Sequence, residues 1–182
     1  MKNKIIVICG FSGSGKDSIV NILSSKYIKV ISNTTRPIRV NEKEGVDYFF
    51  KKNKSEFFKE EYIEYREYNT IVNQKETLWY YGIPKKAIKD DSSYIIVVEI
   101  EGLKSLKKVY GDRITSFFIQ VDSNVRKERV KVRGDFDELE WNRRLKNDNL
   151  RFPPNIINKY CDYVIENKIL LDCIHNIENK LS

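Results

Sequence analysis

Continuous apolar runs alternate along the chain with stretches in which apolar residues recur every three or four positions. Residues 4–9, KIIVIC, form an apolar, β-branched run of the kind found in strands buried on both faces of a parallel sheet. A glycine-rich loop follows, then a predicted helix over 16–26 with Ile19, Val20, Ile22 and Leu23 on its buried side. Residues 28–32 read as a short strand, and 33–47 (NTTRPIRVNEKEGVD) as a polar loop punctuated by Pro37 and Gly45. From 48 to 81 the period shortens. The runs YIEYREY and ETLWYYG predict a small, largely antiparallel sheet with a short helix near 55–60.

Regular alternation then resumes with a helix after Pro84, a buried strand at 94–100 (YIIVVEI), a helix at 103–109 and a strand at 114–121. Asp122 and Ser123 are helix N-cap residues by type. A highly charged helical stretch spans 124–149, interrupted near 134–137. After Pro153 and Pro154 come a strand at 163–166 and a closing helix in which Leu170, Ile174, Ile177 and Leu181 repeat at four, three and four. The order predicts an α/β protein with three α/β/α layers and a parallel core sheet, built from residues 1–32 and 84–182. Residues 33–83 form a small mixed or antiparallel insertion with its own binding face, and no internal repeat is present.

A length of 182 residues suits one domain carrying a small insertion. With 41% hydrophobic and 32% charged residues the chain can bury a core, which excludes a disordered polymer. No stretch approaches the roughly 20 apolar residues that cross a bilayer, and MKNKIIVICG runs into a glycine turn rather than a cleavage site. A soluble cytoplasmic protein with no membrane partner is the expectation. Cys9, Cys161 and Cys173 fit neither a disulfide framework nor a CxxC metal site and read as buried thiols. His175 is the only histidine, so a histidine-based metal cluster or a Ser-His triad is excluded. The net charge of +7 attracts phosphates, but Lys and Arg are scattered among 26 acidic residues. A small phosphorylated substrate explains the charge as well as nucleic acid does.

The chemistry must then come from carboxylates, cations and backbone amides. Gly10, Phe11, Ser12, Gly13, Ser14, Gly15 and Lys16 spell GxxxxGK between the first strand and the first helix. In that context the glycines let backbone amides converge on phosphate oxygens, the helix N-terminus adds its dipole, and Lys16 neutralises charge between the outer phosphates. The motif usually continues with Ser or Thr to meet Mg²⁺, whereas Asp17 and then Ser18 follow here; a carboxylate also ligates Mg²⁺, directly or through water. Glu99 lies at the C-terminal end of a predicted parallel strand. It is either a second Mg²⁺ ligand or a strand-end surface charge.

Downstream, Ser32-Asn33-Thr34-Thr35-Arg36-Pro37-Ile38-Arg39, Gly45-Val46-Asp47-Tyr48-Phe49-Phe50, Tyr62-Ile63-Glu64-Tyr65 and Tyr80-Tyr81-Gly82 occur in order. This series resembles the guanylate kinase family, from Lys4 to Asn167. The resemblance implies a P-loop kinase with a helical lid at about 124–149, transferring phosphate from ATP to GMP or dGMP with Mg²⁺. It implies Arg36, Arg39, Tyr48 and Tyr81 as ligands of the acceptor phosphate, Glu64 and Ser32 as readers of guanine, and Glu99 as a further acceptor contact. Two guanidinium forks and two phenols supply the donors a dianionic phosphate needs. One carboxylate accepts from both the N1–H and the 2-amino group of guanine, a donor pair adenine lacks. Arg133 and Arg144 match the lid arginines that close on the phosphates; Arg129 and Arg143 either join them or belong to a solvated helix. Val97 and Glu99 stand where the family carries DxD, and Ile83 where it offers a hydroxyl. GSGKDS also resembles the loop of ribose 1,5-bisphosphate phosphokinases, which are relatives of guanylate kinase, so a kinase for that sugar or for another nucleotide is the alternative. A non-catalytic guanylate-kinase-like binding module is a third reading. A monomer and a homodimer both remain open.

Overall fold

The computed structural model describes residues 3–40, 42–72, 75–132, 134 and 136–181. The chain divides into two compact units, one of Met1–Lys29 with Ser92–Ser182 and the other of Val30–Asp91.

The larger unit is built on a parallel sheet of β1 (Ile5–Gly10), β2 (Ile28–Lys29), β7 (Tyr94–Val97), β8 (Ile114–Gln120) and β9 (Tyr163–Glu166), in the order β2-β7-β1-β8-β9. β1 lies at the centre and every one of its residues is buried, which explains why its sequence does not alternate. Side chains of Ile6, Ile8, Ile95, Phe117, Ile119 and Ile165 meet Ile19, Val20 and Leu23 of α1 (Lys16–Leu23) and Cys173, Ile174, Ile177 and Leu181 of α6 (Leu170–Leu181). The opposite layer holds α2 (Ile100–Tyr110) and α5 (Pro154–Tyr160), in contact with each other. Two further helices, α3 (Ser123–Val132) and α4 (Glu138–Arg151), occupy the charged stretch.

Several elements differ from the sequence reading, each for a local reason. α1 stops at Leu23 instead of reaching 26, because the Ser24 and Ser25 hydroxyls donate to the carbonyls of Asn21 (2.6 Å) and Ile22 (2.9 Å) and compete with the helical ladder. The expected strand at 28–32 splits in two: Ile28–Lys29 joins the parallel sheet, while Ser32–Thr34 belongs to the second unit. The strand expected at 94–100 ends at Val97, since Glu99 takes the N-cap position of α2 and Ile100 its first turn. After Pro84 only one 3₁₀ turn forms, Lys85–Ala87. α5 has no counterpart in the sequence pattern; Pro154 opens it, in the first turn, where the N–H has no partner within the helix to lose. The Asp122 carboxylate does cap α3, accepting from the Asn124 amide at 2.8 Å.

The smaller unit carries β3 (Ser32–Thr34), β4 (Tyr48–Phe50), β5 (Tyr62–Val72) and β6 (Lys75–Pro84), in the order β4-β3-β6-β5. β5 and β6 form a long antiparallel hairpin, β6 also runs antiparallel to β3, and β3 and β4 are parallel, so the sheet is mixed. The short helix expected at 55–60 is two 3₁₀ turns, Lys54–Glu56 and Lys59–Glu61, parted by Phe57, which is buried against Tyr62 and Tyr80.

Candidate active site

In the larger unit, Gly10 closes β1 so near its neighbour strand that a side chain there would strike the Ile119 carbonyl. Gly15 holds φ at 91°, and a Cβ on it would lie 2.5 Å from Asn167 Nδ2. Only glycine meets both demands. Buried Asn167, just past β9, donates from Nδ2 to the Ser14 carbonyl at 2.7 Å. Arg129 reaches the same carbonyl at 3.4 Å and the Asn167 carbonyl at 2.9 Å. The loop is thus braced by α3 and by the end of β9. Lys16 folds back over it, its Nζ donating to the carbonyls of Gly10 (3.0 Å) and Phe11 (2.8 Å). No side chain caps α1, so its first-turn amides open onto the loop. Asp17 and Ser18 are exposed on that turn.

Asp148 of α4 is the less expected member. It is buried, accepts from the Ser12 amide (2.8 Å) and hydroxyl (3.2 Å), and pairs with Arg126 Nη1 at 3.0 Å. Burial pushes its carboxyl above the ordinary range despite the Ser12 amide, Lys16 and Arg126. Burial likewise lowers Arg126, whose guanidinium lies over the Phe11 ring at 4.7 Å. Glu99 receives a hydrogen bond from Arg151 Nη1 at 2.7 Å.

Of the arginines considered for a lid, Arg143 and Arg144 converge on the buried carboxylate of Glu140, at 2.7 and 2.6 Å. Asp137 caps their helix through the Glu140 amide at 2.8 Å. Arg133 lies outside the described residues. Arg129 serves the loop, as above, rather than extending from the helix.

In the smaller unit, residues paired directly across strands share a face of the sheet. The pairs Ser32–Tyr48, Thr34–Phe50, Thr34–Tyr81, Arg66–Tyr81 and Glu64–Ile83 therefore gather Ser32, Tyr48, Glu64 and Tyr81 on one side. The opposite face packs the aromatic cluster of Phe57, Tyr62, Tyr65 and Tyr80. A register irregularity between Tyr62 and Glu64 makes this separation possible: it turns Tyr62 toward Tyr65, with ring centroids 6.5 Å apart, and leaves Glu64 on the polar side.

Beside that polar face, Arg36 is only 4% exposed. Its two terminal nitrogens form a bidentate pair with Glu42 at 2.9 and 2.7 Å, and its carbon centre lies 5.3 Å from the Tyr48 ring and 5.7 Å from Phe50. Glu42 also accepts from the Arg39 amide at 3.0 Å, with the Arg39 guanidinium 3.7 Å away. Burial opposes the charge on Arg36, but the Glu42 hydrogen bond and the nearby phenols outweigh it and hold its pKa above the arginine norm. Glu42 moves the other way: burial raises it, and the bonds from Arg36 and Arg39 bring it below the glutamate norm. The Tyr81 phenol is pushed up by burial.

Four residues that brace these sites were not foreseen. Glu42 had a local signal, a carboxylate three residues past Arg39 and six past Arg36. Asp148, Glu140 and Asn167 had none that distinguishes them from other polar helix or loop residues, because their partners lie far away in sequence or within a charge-rich helix.

The chain is similar to known proteins along most of its length. The family model described as guanylate kinase matches residues 2–182. The guanylate kinase of Mycoplasma genitalium is 33% identical over 180 residues, covering 92% of this chain and 70% of that protein. The guanylate kinase of Bacteroides thetaiotaomicron is 32% identical over 141 residues, covering 74% of this chain and 67% of that protein. The crystal structure of guanylate kinase from Anaplasma phagocytophilum superposes with a TM-score of 0.70 at 26% identity, covering 99% of this chain and 85% of that one. With the family model matching nearly its whole length, the chain belongs to the guanylate kinase family.

Proposed function

We propose that this protein transfers the γ-phosphoryl group of ATP to GMP or dGMP, in the cytoplasm and with Mg²⁺. The observation that carries the reading is buried Arg36, framed by Tyr48 and Phe50, beside the sheet face that presents Ser32, Glu64 and Tyr81. A guanidinium so buried keeps its charge, and an anionic partner offsets the cost of taking it out of water. Glu42 supplies that partner in the protein alone, and a phosphate monoester satisfies the same fork geometry.

In this reading the amides of the loop and of the first turn of α1 bind the triphosphate of ATP, and Lys16 releases the Gly10 and Phe11 carbonyls to meet the outer phosphates. Arg36, Arg39, Tyr48 and Tyr81 hold the acceptor phosphate, and Glu64 accepts from N1–H and the 2-amino group of guanine. Arg144, with Arg133, meets the developing charge on the transferred group. No general base is required, since the acceptor phosphate already carries a nucleophilic oxygen. Mg²⁺ takes oxygen ligands and binds through one or two carboxylates, phosphates and water. Exposed Asp17 and half-buried Glu99 fit that demand, and the ion supplies charge neutralisation between the phosphates.

The test is ADP release with ATP, Mg²⁺ and a panel of GMP, dGMP, AMP, UMP, dTMP and ribose 1,5-bisphosphate. Turnover with GMP and dGMP is expected. One observation favours the sugar bisphosphate: Ile83, paired with Glu64, is 1% exposed and offers the base no hydroxyl. Turnover confined to ribose 1,5-bisphosphate overturns the nucleotide reading, and absence of turnover with every acceptor favours a binding module.

A further inference from the structure

We infer that Arg66 is a third guanidinium for the acceptor's phosphate and sets the preference of this site for a phosphate monoester over the bare nucleoside. The inference rests on the acceptor reading above and adds to it a residue which the motifs did not single out.

Arg66 lies in the middle of β5, two residues past Glu64, and alternation places both on the same face. It pairs across the hairpin with Tyr81. Its carbon centre is 5.9 Å from the Tyr81 ring and 5.7 Å from the Tyr68 ring. The Tyr81 ring in turn lies 6.0 Å from Tyr48, and Tyr48 5.3 Å from the centre of Arg36. Two guanidinium groups thus flank one pair of tyrosines, Arg36 from the β4 side and Arg66 from the β5 side. The two phenols assigned to the acceptor phosphate are held between two cations rather than beside one. A guanidinium held beside two aromatic rings loses little freedom when an anion arrives.

The geometry also separates roles along the strand. Glu64 and Arg66 stand about 7 Å apart along the strand, so their long side chains meet different parts of one bound acceptor. Arg66 therefore acts on the charged end of the acceptor, and the base is left to Glu64 and Ser32.

Steady-state kinetics of the whole chain with ATP and GMP, together with inhibition by guanosine, test this for Arg66→Met and Arg66→Lys. Arg66→Met is expected to raise KM for GMP by about 10- to 100-fold, the range for losing a charged hydrogen bond. KM for ATP and the inhibition constant of guanosine should stay within about twofold, and Arg66→Lys should fall between wild type and Arg66→Met. An unchanged KM for GMP, or GMP and guanosine weakened equally, overturns the proposal; the second result would make Arg66 a structural residue. If thermal melting shows Arg66→Met unfolded, Arg66→Lys and Arg66→Gln decide by the same ratio of GMP to guanosine. Normal GMP turnover in the wild type with unaffected variants sinks this inference alone, whereas a wild type that ignores GMP sinks the acceptor reading with it.

Discussion

Glu42 joins Arg36 and Arg39 into one rigid group, and its charge can be removed without changing its size. Glu42→Gln leaves buried Arg36 without a counter-ion, at a cost of about 3 kcal/mol. The pH dependence follows from the direction of its shift. The folded pKa is depressed below the ordinary 4.5, so the stabilisation is complete above that value and disappears as pH falls through the lower, folded one. Thermal melts should show a gap between wild type and Glu42→Gln that is full at pH 7 and closes in strong acid; a gap independent of pH would show that the ion pair is not its source. In the proposed acceptor site, Glu64→Gln removes one of two acceptances from guanine. GMP turnover at low substrate should fall by at least tenfold while ATP binding, followed by calorimetry, is retained.

At the scale of the element, the glycine-rich loop is held by contacts from α3, α4 and the end of β9, so its shape depends on residues well over a hundred positions away. Gly15→Ala sets a side chain against Asn167 at a φ of 91°, and should cost about 1–3 kcal/mol of stability and most ATP binding, as measured by melting and calorimetry. Asp148→Ala leaves Arg126 buried and unpaired and is expected to cost about 3 kcal/mol. A loss below 1 kcal/mol in melts of that variant would remove the ion pair from the account of what holds α4 to the loop. These braces explain which parts could be read from sequence. The strands and α6 were legible because burial on one or two faces writes itself as an apolar period. The loop was legible because phosphate binding requires glycine and lysine at fixed spacing. Helix ends and 3₁₀ turns were not, since they turn on single hydrogen bonds such as those of Ser24 and Ser25. Asp148 was hidden because only the folded chain brings α4 to Ser12.

For the whole molecule, the two units have separate cores of unequal size. The larger is a two-sided sheet with helices, and the smaller rests on the cluster of Phe57, Tyr62 and Tyr80 with Tyr65 against it. Truncation of one aromatic in so small a cluster removes a large share of it. Phe57→Ala is predicted to cost about 3–5 kcal/mol and to speed amide hydrogen exchange in β5 and β6 while β1 and β8 keep their protection. Uniform loss of protection would show instead that the chain unfolds as one. The point where the chain leaves the parallel sheet adds one more consequence. β2 ends at Lys29, β7 begins at Tyr94, and the two lie side by side, with the Ile28 amide bonded to the Ser93 carbonyl at 3.0 Å. Exit and re-entry are next-door neighbours, so the segment between them is a cartridge: evolution or an engineer can exchange it for one with a different appetite and leave the ATP-handling chassis in place.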